Sequence, residues 1–149
     1  MIIDSQEFHR ELIGIIESYK EGSGYRWPAE GYGITKDLYY AGHLFMKRLP
    51  GSLPYCSGIT FEVFLTTFQK MYGLNALVGR LDQKDMQYFR KWWYGAVEST
   101  MRKTLVDAIS GFQIDNDGTV GKQVLPTEAE AGDFAQFWRE NGSCHSVVL

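Results

Sequence analysis

The sequence predicts an α+β domain. Apolar residues recur at three- and four-residue intervals through most of the first 110 positions, the signature of amphipathic helices. Near the C-terminus the pattern changes to alternation, and an Asn-Gly pair separates two short runs of strand-forming residues, the signature of an antiparallel hairpin. At 149 residues, with 44% hydrophobic and 22% charged residues, the chain is sized and composed for one domain, residues 1–149, with a full core. Aromatic content is 15%, so rings must build much of that core or a cleft.

In chain order, residues 5–20 predict a first helix. Phe8, Leu12, Ile15, Ile16 and Tyr19 share a face, and Ser5 is the expected N-cap. "EGSG" stops it, and "YRWPAEGYG" reads as a surface loop. Residues 35–48 predict a second helix capped by Thr35. "LPGSLPY" must then be extended, because proline disfavours helix at itself and at the residue before. Residues 56–72 predict a third helix with Ile59, Val63, Phe64, Phe68, Met71 and Tyr72 on one broad face, ended by Gly73. Residues 82–110 predict further helix opening at Asp82, and "DNDGT" a turn rather than a calcium loop, since it lacks the first acid and the twelfth-position Glu. Residues 133–138 and the run "CHSVVL" predict two strands joined at Asn141-Gly142. One hairpin is marginal alone and needs more strands or a packed helix, so the sheet reads as incomplete.

Composition excludes several function classes. The net charge is −3 and basic residues are interleaved with acids, which argues against nucleic acid. No stretch approaches ~18 consecutive apolar residues, so no membrane span is expected. The N-terminal residues do not read as an export signal. Two cysteines are too few for a disulfide framework or a Cys-rich zinc site, and His9, His43 and His145 stand in unrelated contexts, so neither metal nor cofactor is expected. His43 and the Trp92-Trp93 pair read as packing or surface residues.

Cys56 is the residue with chemistry to offer. Thiolate is the reactive form of cysteine, and a helix N-terminus favours it. The first amides of a helix lack internal partners and carry partial positive charge, so they can also hold an oxyanion. Gly58 leaves room for another chain or a substrate to come close. An imidazole would supply general base and then general acid. The plain alternative is a buried cysteine that only packs.

Three stretches carry a family resemblance. "CSGITFEVF" (Cys56 to Phe64) resembles the nucleophile motif of NlpC-like cysteine peptidases, the bacterial cell-wall branch of the papain-like fold. "AGDFAQFWRENGSCHSVVL" resembles the family's Gly-Asp segment, strand, turn and catalytic His, here Gly132, Asp133 and His145. "GYRWPAEGYG" is more weakly similar to its aromatic-glycine loop. The resemblance implies a papain-like fold, Cys56 as nucleophile and His145 as base. It implies substrate or oxyanion contacts from Tyr25, Tyr55 and Ser57. It implies hydrolysis of cell-wall peptides at a γ-linked D-glutamate, in a family usually exported. An amidase or acyltransferase on another substrate, or a binding or assembly module on the same scaffold, are the alternatives.

The chain also departs from the family. Tyr55 stands where an acid commonly precedes the nucleophile. The third polar residue that orients the imidazole belongs on a strand after His145, and only four residues follow. The expectation is a second chain or C-terminal fragment that completes the sheet. Neighbouring strand residues point to opposite faces, so if His145 faces Cys56, Cys144 faces away as a packing residue. A redox link between the two cysteines is the sharper alternative. Asp133 is expected to organise the turn before its strand.

Overall fold

A computed structural model describes residues 3–26, 30–98 and 102–149. Helix α1 spans Ser5–Glu17. A hairpin follows, β1 Leu38–Tyr40 and β2 His43–Met46. Helix α2, Cys56–Tyr72, is the longest element. Helices α3 Gln83–Trp93, α4 Gly95–Glu98 and α5 Leu105–Gly111 come next. A short 3-10 turn at Pro126–Glu128 leads to the second hairpin, β3 Phe134–Trp138 and β4 Cys144–Val148. Helices with small antiparallel sheets make this an α+β fold.

The core is organised around α2. Phe61, Phe64, Leu65 and Phe68 are completely buried on it. Helix α1 lays Phe8 and Leu12 against one side, with the Phe8 ring 6.0 Å from Phe64. Helix α3 adds Phe89 and Trp93 from another. Strand β4 packs on α2 and β3 on α5. Phe134 lies 6.4 Å from the Phe64 ring and 5.3 Å from Trp93. The second hairpin thus obtains its support from helices.

Three expectations are corrected. The cap of α1 is Asp4, whose carboxylate accepts the Glu7 N–H at 3.0 Å, not Ser5. Residues 35–48 are not a helix. Ala41 and Gly42 both take positive φ (47° and 79°), and Tyr40 pairs with His43 across that two-residue turn. Such a turn twists with its strands. Thr35 caps nothing there, because its N–H and hydroxyl donate to the two carboxylate oxygens of Glu62 at 2.7 and 2.8 Å. The helical region from 82 is also interrupted. Asp82 caps α3 as expected, accepting from the Asp85 N–H. Tyr94 closes that helix, and Thr104 with Asp107 forms a new capping box for α5. Residues 99–101 of that region, and 27–29 of the aromatic loop, lie outside the described residues.

Candidate functional site

Helix α2 begins where the sequence requires. Pro54 blocks helix upstream, and Tyr55 is extended (φ −137°, ψ 171°). The first helical bond runs from the Ile59 N–H to the Tyr55 carbonyl at 3.0 Å. The amides of Cys56, Ser57 and Gly58 therefore stand ahead of the helical ladder, as the first amides of any helix do. Thr60 tightens this turn. Its hydroxyl donates to the Cys56 carbonyl at 2.7 Å and accepts the Trp93 indole N–H at 3.1 Å.

The aromatic-glycine loop is fastened to this helix start. Tyr55 donates its N–H to the Gly33 carbonyl and its hydroxyl to the Gly31 carbonyl at 2.8 Å. Tyr94 donates to the Tyr32 carbonyl at 2.7 Å. Gly58 allows the approach, because a Cβ there would lie 2.1 Å from the Gly33 oxygen and 2.2 Å from the Tyr32 oxygen. The expected close approach at Gly58 is made by the chain's own loop. Further upstream, the Arg26 N–H donates to the Pro54 carbonyl at 3.1 Å. That bond draws Tyr25 alongside Cys56, although thirty residues separate them.

Tyr25 joins the two residues expected to react. Burial, then the charge of the Cys56 thiolate and a hydrogen bond with its side chain, push the Tyr25 phenol above its ordinary range, while the Cys56 N–H pulls the other way. The phenol is therefore protonated at neutral pH. The Tyr25 ring also meets His145 edge to face, centroids 6.3 Å apart. Cys56 itself is 5% exposed, and Tyr25 beside it is 52% exposed. Among the described residues, no hydrogen bond joins Cys56 to the His145 ring.

The facing of β4 explains that separation. Register sets Cys144 opposite Trp138, His145 opposite Phe137 and Ser146 opposite Gln136. Phe134 and Val148 pack on the core, and the Ser146 hydroxyl, buried, donates to the Gln136 side-chain oxygen at 2.7 Å. Alternation puts Cys144 on the side of Ser146 and Val148 and His145 on the side of Phe137, and this end of the hairpin is open on both, with Phe137 54% and Trp138 61% exposed. The two neighbours do lie on opposite faces of β4, as expected, with Cys144 on the face that carries Ser146. Burial of Phe134, Ser146 and Val148 decides which face turns inward.

The other expected residues occupy different surroundings. Tyr55 points into the core, buried, rather than into a cleft; burial first and the Glu98 charge second push its phenol upward. Ser57 is buried with its hydroxyl 4.0 Å from the Cys56 sulfur. Asp133 organises its turn, accepting the Glu130 N–H at 2.8 Å and pairing with His9 at 3.2 Å. A groove of about 940 Å³ runs between α1, α5, residues 120–130 and β3, away from Cys56.

Two charged residues that hold the site were missed. Glu62, fully buried, accepts from Tyr19 at 2.5 Å and twice from Thr35, so it ties α1 and the aromatic loop to α2. A carboxylate inside the apolar run "ITFEVFL" was the available signal. Buried Arg90 lies over the Tyr32 and Tyr94 rings at 5.1 and 5.3 Å and pairs with Glu98 at 2.6 Å. No spacing in the sequence announces that arrangement.

No family model matches the chain, and neither do any of the curated proteins or solved structures compared with it.

Proposed function

We propose that this chain is a papain-like thiol hydrolase of the NlpC type, with Cys56 as nucleophile. One observation carries the reading: the cysteine occupies the first residue of the central helix, beside unladdered amides, with the Tyr25 phenol next to it and the His145 imidazole against that ring. In the reaction, the sulfur attacks an amide carbonyl and the amides at the helix start hold the oxyanion. Half-exposed Tyr25 swings off the sulfur as substrate enters, and a turn of the β4 end of the hairpin brings His145 to the sulfur as base and then as acid to the leaving amine. Water resolves the acyl-thioester.

The substrate class follows from the resemblance alone: a bacterial cell-wall peptide cut after a γ-linked D-glutamate. The inward Tyr55 supplies no acid for a free amine, which keeps an amidase or acyltransferase on another acyl donor in play. A strand from a second chain or fragment is proposed to complete the sheet beside the second hairpin. The closed sulfur and outer-face histidine favour a second reading, a binding or assembly module on the same scaffold.

Iodoacetamide labelling separates the two. A catalytic Cys56 reacts faster at neutral pH than free glutathione, and His145→Ala slows it. Purified cell-wall peptides incubated with the chain should then yield new amine ends. Slow labelling that ignores His145 would leave only the binding module.

A further inference from the structure

Cys144 is the titratable group next to the site that the proposed reaction does not use. Its position can be reckoned from the packing. Phe134 touches Phe64 on α2 and pairs with Val148 on β4. From Phe64 back to Cys56 is eight helical residues, ~12 Å of rise. From Val148 back to Cys144 is four strand residues, ~14 Å. The two elements are in contact, and the Tyr25 ring that covers Cys56 also touches His145, the neighbour of Cys144. With α2 and β4 in contact and Tyr25 beside both Cys56 and His145, the two cysteines lie at neighbouring ends of the two elements. Both thiols are free.

We propose that Cys56 and Cys144 form a peroxide-sensitive dithiol site, which closes into a disulfide and takes Cys56 out of reaction. This goes beyond the hydrolase reading and shares only Cys56 with it. Supporting it, burial and then the charge of the Cys56 thiolate push the Cys144 thiol upward, while the Gln136 side chain draws it down. The Cys144 thiol therefore keeps its proton at neutral pH.

The chemistry balances with hydrogen peroxide as oxidant. The Cys56 thiolate attacks one peroxide oxygen, the O–O bond breaks, and the departing hydroxide takes up a proton to become water. Cys56 is then a sulfenic acid, oxidised by two electrons. The Cys144 sulfur attacks it, the S–S bond forms, the S–OH bond breaks, and hydroxide leaves as water with the Cys144 proton. A dithiol reductant reverses the closure.

The test treats the full chain with hydrogen peroxide, alkylates it under denaturing conditions and maps the peptides by mass. The expected product is an intramolecular Cys56–Cys144 linkage, lacking two hydrogens and restored by dithiothreitol. Cys144→Ser should instead accumulate Cys56 sulfenic acid, trapped by a 1,3-dione. His145→Ala should still form the disulfide while losing rapid iodoacetamide labelling, which separates this idea from the hydrolase. An alkylatable Cys144 beside an oxidised Cys56, a Cys56 that peroxide leaves untouched, or linkage only between chains overturns it.

Discussion

Gly58 shows how a single missing methyl group positions the site. Its Cα faces the carbonyls of Tyr32 and Gly33, which the Tyr94 hydroxyl and Tyr55 amide hold in place. A Cβ would therefore press on anchored backbone rather than on a movable side chain. Gly58→Ala should cost about 3 kcal/mol of stability, typical of overpacking against atoms that cannot relax. The urea midpoint measures this, and a change below about 0.5 kcal/mol, within the range of an ordinary surface substitution, would mean the loop is not seated on the helix. Tyr25 makes the opposite case. It is half exposed and stands beside Cys56, so Tyr25→Ala should leave the urea midpoint nearly unchanged yet speed iodoacetamide labelling of Cys56 several-fold. Equal rates in both proteins would show that the ring does not gate the sulfur.

At the scale of elements, Ala41 is the position that fits worst. It holds φ 47°, a left-handed conformation that costs a non-glycine residue about 1–2 kcal/mol. Ala41→Gly relieves that strain and frees the unfolded chain somewhat, so the net gain should be about 0.5 kcal/mol, read as a higher thermal midpoint. A lower midpoint would refute the turn. The same hairpin shows where local reading fails. Leu38, Ala41 and Phe45 satisfy helical spacing, while Leu38 and Tyr40 buried with Tyr39 exposed satisfy a strand. What decides between them is distant: the Tyr40 hydroxyl donates to the Leu81 carbonyl and accepts the Val78 N–H, both 2.8 Å. No window around residue 40 contains that information. Helix α2, by contrast, was legible end to end, because Pro54 and Gly73 punctuate it locally. Both β3 and β4 were legible as strands, and Cys56 as a helix start. The facing of His145 was not, since alternation fixes only relative sides and the contact of Phe134 with Phe64 chooses between them.

For the whole molecule, the decisive feature is a core of rings with buried phenols at its edges. Phe64 meets Phe8, Phe61, Phe89, Trp93 and Phe134, so it joins α1, α3 and β3 to α2. Phe64→Ala should cost about 3–5 kcal/mol, a large part of the 5–15 kcal/mol typical of a domain. The phenols set the alkaline limit. Burial pushes Tyr40 from 10.0 up to about 12, and pushes Tyr19, Tyr55 and Tyr94 upward as well. Because the folded values lie above the unfolded ones, the unfolded chain releases these protons first as pH rises. Stability from this source is complete below the ordinary tyrosine value of 10.0 and is lost progressively above it, over the interval up to about 12 for Tyr40. Each group contributes a slope of about 1.4 kcal/mol per pH unit in that interval. Urea midpoints across that range should therefore fall steeply. Tyr40→Phe should begin lower, having lost two hydrogen bonds, yet decline with a shallower slope because one titrating group is gone. A Tyr40→Phe slope equal to that of the unaltered chain would remove Tyr40 from the alkaline transition.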